Sequence, residues 1–158
     1  MRARVALLGV VLLGGLAACG APASTSAPQN PGQAANSSSE AVGVKIGESG
    51  LGPILTDLNG RTLYAFVNDR SGTSTCTNGC LGSWPALTSD KAFTAGDGTD
   101  GKLLSETKQT DGVDQAKYGP WPLYYYAGDQ GPGDIDGQNA DGLWFVVGAD
   151  GKLVKKTP

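Results

Sequence analysis

At 158 residues the chain has the length of one domain, with 17% charged residues, 7% aromatics and 25 glycines. That profile suits a turn-rich β protein better than a helical bundle, which carries more Ala, Leu, Glu and Lys. The formal net charge of -3 argues against a nucleic-acid partner, whose footprint is a basic patch. The absence of His removes the usual ligand or base from haem sites, imidazole zinc sites and Ser-His-Asp triads.

Taken from the amino end, Arg2 and Arg4 form a short positive region and Val5 to Leu13 an apolar run. Small residues follow at Ala17 and Ala18, the layout of a secretory signal segment. The run ends short of the roughly 20 apolar residues a spanning helix needs. Leu16-Ala17-Ala18-Cys19 resembles the lipobox of bacterial lipoproteins. The resemblance implies cleavage after residue 18, diacylation of the Cys19 thiol and a membrane attached through lipid. Two or three acyl chains would anchor stably, since each buried CH2 contributes about 0.8 kcal/mol. Without Arg2 and Arg4, ten basic residues face 15 acidic ones, a balance of -5.

Residues 20–40 are Ala, Pro, Ser, Gln, Asn and Gly with little to bury, so they cannot offset their own ordering entropy. The stretch reads as a disordered tether, about 70 Å long if pulled straight and about 25 Å as a relaxed coil. The organisation expected is a signal segment over 1–18, a tether over 19–40 and a folded repeat domain over 41–158.

Three cysteines in an exported chain leave one over. A lipidated Cys19 resolves the parity and leaves Cys76 and Cys80 as a pair, oxidised outside the cytosol. The turn-forming Thr77-Asn78-Gly79 lies between them. A local staple is the preferred reading. A redox-active dithiol is the alternative, with no His or Lys beside the pair in sequence to lower a thiol pKa.

From Ala41 the pattern becomes periodic. Val42, Val44 and Ile46 alternate with Gly43, Lys45 and Gly47, the period of a half-buried strand. Gly50 to Pro53 reads as a turn, Ile54 to Asp57 as a strand, and Asn59-Gly60 as a hairpin signal. Thr62 to Val67 is the next strand, with Tyr64 and Phe66 on one face and Leu63 and Ala65 on the other. A Gly- and Thr-rich loop over 71–82 precedes Ser83 to Leu87, where Pro85 confines the element to an edge or to irregular structure. A polar connector covers 91–101. Strands are then expected over 103–107, 113–118, 123–127 and 143–147, with a loop over 128–142 and a turn at Asp150-Gly151. No segment offers a convincing amphipathic helix.

The second half repeats the first. Leu63-Tyr64-Ala65-Phe66-Val67-Asn68-Asp69 returns sixty positions later as Leu123-Tyr124-Tyr125-Tyr126-Ala127-Gly128-Asp129. Trp84 and Trp144 follow their Asp by the same fifteen residues, and Gly82, Gly142, Leu87 and Val147 keep the frame. Self-similarity of this kind decides the architecture. The fold expected is all-β: one domain of two tandem antiparallel units, about 44–88 and 104–148, sharing one core.

Tyr64, Phe66 and Trp84, with Tyr124, Tyr126 and Trp144, read as core packing and cross-strand pairs. The other reading is a stacking surface for sugars or quinone-like ligands. Asp69 and Asp129 read as acceptors for loop amides. The Asp-rich loop after Asp129 fails the calcium-loop pattern, with Phe145 where a carboxylate should stand, so a solvated loop is preferred to a metal site. No catalytic residue, cofactor or metal is assigned.

The lipobox, the doubled Tyr-x-aromatic-x-x-Asp motif and Cys76-x-x-x-Cys80 before Trp84-Pro85 together resemble the bacterial secreted-repeat lipoproteins. Further matches are Leu55-Thr56-Asp57, Gly60 to Tyr64 and Pro122-Leu123-Tyr124. The resemblance implies an envelope lipoprotein with tandem repeats and no assigned activity. The function expected is a non-enzymatic binding or structural module on the outer face of the cell membrane, with an envelope protein or glycan as partner. The alternative is a redox accessory using Cys76 and Cys80.

Overall fold

Alternation builds this domain, because successive strand residues point to opposite faces and here both faces are covered. The computed structural model describes residues 40–69 and 71–157. The expected signal segment, Cys19 and nearly all of the 19–40 stretch lie outside the described residues.

Among the described residues, eight short strands form three sheets. β1 (Gly43–Ser49) and β2 (Gly52–Asp57) make a hairpin, with Ser49 opposite Gly52 and a two-residue loop between. Gly52 begins β2 at φ 92°, a conformation that a residue with a Cβ adopts only with strain. The polar connector supplies β4 (Thr94–Ala95), which pairs parallel to β1. β5 (Leu104–Lys108), β6 (Asp114–Tyr118) and β7 (Trp121–Pro122) form an antiparallel meander. β3 (Tyr64–Phe66) pairs with β8 (Trp144–Val146). Among the described residues no helix is long and apolar enough to cross a membrane.

The two halves are related by an approximate two-fold axis between Tyr64 and Tyr124. The Tyr64 amide donates to the Tyr124 carbonyl at 2.8 Å, and the Tyr124 amide donates back at 3.0 Å. Outward from this pair the bonds match. The Val67 amide reaches the Leu143 carbonyl and the Ala127 amide reaches that of Ser83, both at 2.9 Å. The Leu55 amide reaches Val147 at 2.7 Å and the Ala116 amide reaches Leu87 at 2.8 Å. Leu55 therefore corresponds to Ala116, an offset one residue longer than that of the aromatic motifs. The extra residue lies in the first half, in the turn between Leu55 and Leu63, whose bond from the Leu63 amide to the Leu55 carbonyl matches that from Leu123 to Ala116.

The segment expected as a strand over 123–127 makes only an isolated bridge at Tyr124, to Tyr64 on one side and Ala86 on the other. Pro85 is the reason. It has no N–H for the ladder, and its carbonyl alone is used, by the Tyr125 amide at 2.8 Å. The matching residue in the second half is Phe145, which pairs with Ala65 inside β8. A one-turn helix, α1 (Gly79–Ser83), lies in the loop before Trp84, and a 3-10 turn (Ala140–Gly142) lies at the matching place before Trp144. Both are too short and too rich in small residues to leave a helical period.

The central row separates two apolar layers, each fed by both repeats. Leu63, Ala65, Leu123 and Val147 face a layer completed by Val44, Leu55, Leu87, Ala116 and Tyr118. Their neighbours Tyr64, Tyr124 and Val146 face the other, with Ile54, Cys76, Trp84 and Trp144. The expected separation of Tyr64 and Phe66 from Leu63 and Ala65 is what the structure contains.

The Cys76–Cys80 disulfide packs into the second layer and has no counterpart in the other repeat. It closes a five-residue loop, worth about 2 kcal/mol on the chain-entropy model. Cys76→Ala with Cys80→Ala is expected to lower unfolding stability by about that amount. The far-ultraviolet spectrum should be unchanged, because the strands form without the bridge. Denaturant titration of the purified domain checks both.

Candidate functional site

Each copy of the motif carries its Tyr in the extended run and its Asp beyond a turn, so no strand geometry brings the two together within one copy. The antiparallel contact does so between copies. The Tyr64 hydroxyl donates to Asp129 Oδ2 at 2.9 Å, and the Tyr124 hydroxyl donates to Asp69 Oδ2 at 2.5 Å. The motif is therefore reciprocal: each half supplies a phenol to the carboxylate of the other. The loop-amide role expected for the aspartates is also present. Asp69 Oδ1 accepts the Thr75 amide at 2.7 Å and the Thr75 hydroxyl at 2.5 Å, and Asp129 Oδ1 accepts the Asp136 amide at 3.0 Å.

The two pairs sit in different surroundings. Asp69 is 0% exposed and Asp129 is half-buried. The Tyr124 oxygen receives the Ser74 hydroxyl at 2.7 Å, since its own proton is committed to Asp69. Ser74 in turn accepts from Gln109 Nε2 at 3.2 Å. The Tyr64 oxygen accepts the Gly137 amide at 3.3 Å. Burial, reinforced by the facing carboxylate, pushes both phenols far above their ordinary range. They stay protonated donors throughout the physiological range. Burial also raises the Asp129 carboxyl, against the lowering effect of the Tyr64 hydrogen bond.

Beside these pairs the remaining motif residues form one column of rings. Phe66 stacks on Trp144 at 4.4 Å between centroids and Trp144 on Trp84 at 3.9 Å, while Tyr126 lies 4.6 Å from Trp84 with its plane tilted by 35°. The two indoles are within 1° of parallel. Tyr64 meets Trp84 edge-on at 5.4 Å and Tyr124 meets Trp144 edge-on at 5.2 Å. Trp84 is 7% exposed and Trp144 is 3%, so neither offers its face to a sugar. Phe66 and Tyr126, at the two ends, are half-buried.

Cys76 is 1% exposed, while Cys80 is half-buried at the start of α1. In the Asp-rich loop, Asp134 Oδ2 accepts the amides of Gln130 and Gly131, each at 2.8 Å. The Asp134 carboxylate is thus turned onto the loop backbone, and among the described residues no group of three or more His, Cys, Asp or Glu is placed to hold a metal ion.

Sequence reasoning gave the aspartates to loop amides and the tyrosines to core packing, and so missed the exchange. It also missed Gly137, where an added Cβ would lie 2.8 Å from Trp84 Cη2 and 2.9 Å from Tyr126 Cγ. A third phenol, Tyr125, donates to Asp57 Oδ2 at 3.0 Å with the Arg61 guanidinium 4.2 Å over its ring, on the opposite face of the row.

Two outcomes are expected from this geometry. Tyr124→Phe should cost about 2–3 kcal/mol, because Asp69 is then buried without its phenol, whereas Tyr64→Phe should cost only about 1 kcal/mol because Asp129 can turn to water. Gly137→Ala should cost about 1–3 kcal/mol by forcing rings apart. Denaturant midpoints of the three variants against the native chain check the order.

Comparison with known proteins places the chain. No curated protein and no solved structure matches it. A family model described as a secreted repeat of unknown function matches twice, over residues 45–88 and 106–148, the two halves related by the axis above. The chain belongs to this secreted-repeat family and carries two tandem copies of its repeat.

Proposed function

We propose that the protein is a lipid-anchored lipoprotein of the extracytoplasmic membrane face. On this reading residues 1–18 are removed, Cys19 carries lipid, 19–40 form a tether, and 41–158 act by binding or structural contact rather than catalysis. One observation supports the last point above others. The polar and aromatic groups that the two repeats share are consumed in joining them. Tyr64, Tyr124, Asp69 and Asp129 satisfy one another, and Trp84 and Trp144 cover one another. What the repeat maintains is a rigid body that presents its outer surface to an envelope partner. The family's description as secreted is consistent with the export signal read at Arg2 to Cys19.

The cysteine pair belongs to this reading as a staple. Thiol–disulfide exchange needs an attacking thiolate to reach a sulfur, and Cys76 is buried in the aromatic layer.

Expression in a bacterial host that processes lipoproteins tests the anchor. The native chain should partition with membranes, and mass spectrometry of its amino-terminal peptide should show a diacylglyceryl adduct on Cys19. Cys19→Ala should appear in the soluble extracytoplasmic fraction. A native chain found soluble and without adduct would refute the anchor and leave the fold untouched.

A further inference from the structure

Among the described residues, three that are not glycine have a left-handed φ: Asn78, Asn139 and Asp141. Asn139 (φ 60°, ψ 22°) and Asp141 (φ 52°, ψ 16°) lie in the left-handed helical well, which short polar side chains tolerate. Asn78 does not. Its φ of 49° comes with a ψ of -120°, the setting of the first central position of a type II′ turn, which glycine normally fills. The turn runs from Thr77 to Cys80 and is closed by the Cys80 amide on the Thr77 carbonyl at 3.1 Å. The Cys76–Cys80 disulfide straps its two sides.

At this ψ the Cα–Cβ bond of Asn78 lies over the bond from its carbonyl carbon to the Gly79 nitrogen. A five-membered imide ring needs that eclipsed arrangement, so rotation of the side chain alone carries its amide carbon to the next backbone nitrogen. The surroundings favour closure. Asn78 and Gly79 are both exposed, and the Asn78 side chain makes no cap hydrogen bond. The Gly79 amide donates to no group among the described residues, and a Cβ added at Gly79 would meet nothing within 4 Å. The Asn78 carbonyl accepts the Leu81 amide at 3.1 Å, which draws electron density from the peptide and makes the Gly79 N–H more acidic. The other Asn-Gly pair of the chain, Asn59-Gly60, lacks these features. Its Gly60 amide is committed to the Asp57 carbonyl at 3.0 Å, and Pro132 Cβ stands 3.2 Å from where a Gly60 Cβ would be.

We propose that Asn78-Gly79 is a self-modification site, at which the folded chain closes a succinimide and opens it to aspartyl and isoaspartyl forms with water as the co-reactant. In the first step the Gly79 nitrogen gives its proton to solvent and attacks the Asn78 side-chain amide carbon. A C–N bond forms, and the side-chain nitrogen takes a proton from water and leaves as ammonia. In the second, water adds to one of the two ring carbonyls, the ring C–N bond at that carbon breaks, and the nitrogen recovers a proton. Attack at the side-chain carbonyl leaves aspartate. Attack at the main-chain carbonyl leaves isoaspartate, whose backbone runs through Cβ. Either product replaces a neutral amide by a carboxylate at a groove lined by Thr77, Asn78, Leu81, Gln109, Thr110 and Asp111, where Asp111 is the one acidic residue beforehand. The isoaspartyl link also adds a methylene to the disulfide-closed loop and releases the strained turn, so the native geometry drives the reaction forward. The mark falls on the first repeat alone, because Gln138 stands sixty positions after Asn78. It depends neither on the lipid anchor nor on a binding partner.

Timed incubation of the purified native chain in heavy-oxygen water tests the site, followed by peptide mapping with electron-transfer fragmentation to separate aspartate from isoaspartate. Position 78 should take up heavy oxygen on the order of a hundredfold faster than position 59, with isoaspartate the larger product. In denaturant, with the disulfide reduced, the two identical dipeptides should react at similar rates. Gly79→Ala places its methyl in open space and should slow position 78 on the order of tenfold by crowding the attacking nitrogen. Asn78→Gly should abolish the uptake there and raise the denaturant midpoint, because glycine adopts the turn without strain. Circular dichroism separates these effects from loss of the fold, and the comparison of positions 78 and 59 in the native chain stands alone if a variant unfolds. The proposal is overturned if the two positions react equally fast in the folded chain, or if position 78 reacts more slowly folded than denatured.

Discussion

The domain depends on one antiparallel contact, between Tyr64 and Tyr124. Their backbones exchange both hydrogen bonds, and their side chains cross to the other half to meet Asp129 and Asp69. Either repeat alone would expose one face of a two- or three-stranded sheet, which is marginal in water. Joined at this contact, each repeat covers the other. The axis through it sets which residues meet: indole on indole, and phenol against the neighbouring carboxylate.

Because the contact sits in the middle of the row, both faces of the central segments are buried. This explains why the motif strands lack polar positions. Leu63-Tyr64-Ala65-Phe66 and Leu123-Tyr124-Tyr125-Tyr126 alternate between an aliphatic layer and an aromatic one, not between core and water. The symmetry then breaks where local chemistry demands it. Pro85 removes one ladder donor, so the first half has an irregular edge where the second has β8. Cys76 and Cys80 staple the first loop, while the matching Asp-rich loop is closed by carboxylate-to-amide bonds. The loops are the parts free to differ, since the shared motif residues face inward.

Much of this was legible in the chain. The sixty-residue echo foretold the duplicated sheet, and the period of two placed Tyr64 opposite in face to Leu63. The close spacing of Cys76 and Cys80 around a turn-forming trio pointed to the bridged pair. The exchange of partners was not legible. Sequence spacing reports distance along one copy, whereas Tyr64 and Asp129 are neighbours only once the halves pair. The same limit hid Gly137, whose missing side chain matters only against rings from two separate segments. The one-turn helix α1 went unseen because five residues rich in glycine cannot display a 3.6-residue period.

The buried Asp69 and half-buried Asp129 also bear on how the chain selects one arrangement. A slip of one residue between the halves would exchange the two layers and is excluded by size and shape. A slip of two residues is subtler, because every side chain keeps its face and much of the apolar burial survives. Such a slip moves each phenol about 7 Å along its neighbour. Both phenols and both carboxylates would then be buried or half-buried without partners, a penalty of about 1–3 kcal/mol for each unsatisfied group. Apolar contacts bring the halves together without distinguishing these registers. The reciprocal Tyr–Asp pairs distinguish them, so a polar motif inside an otherwise apolar row serves to fix position.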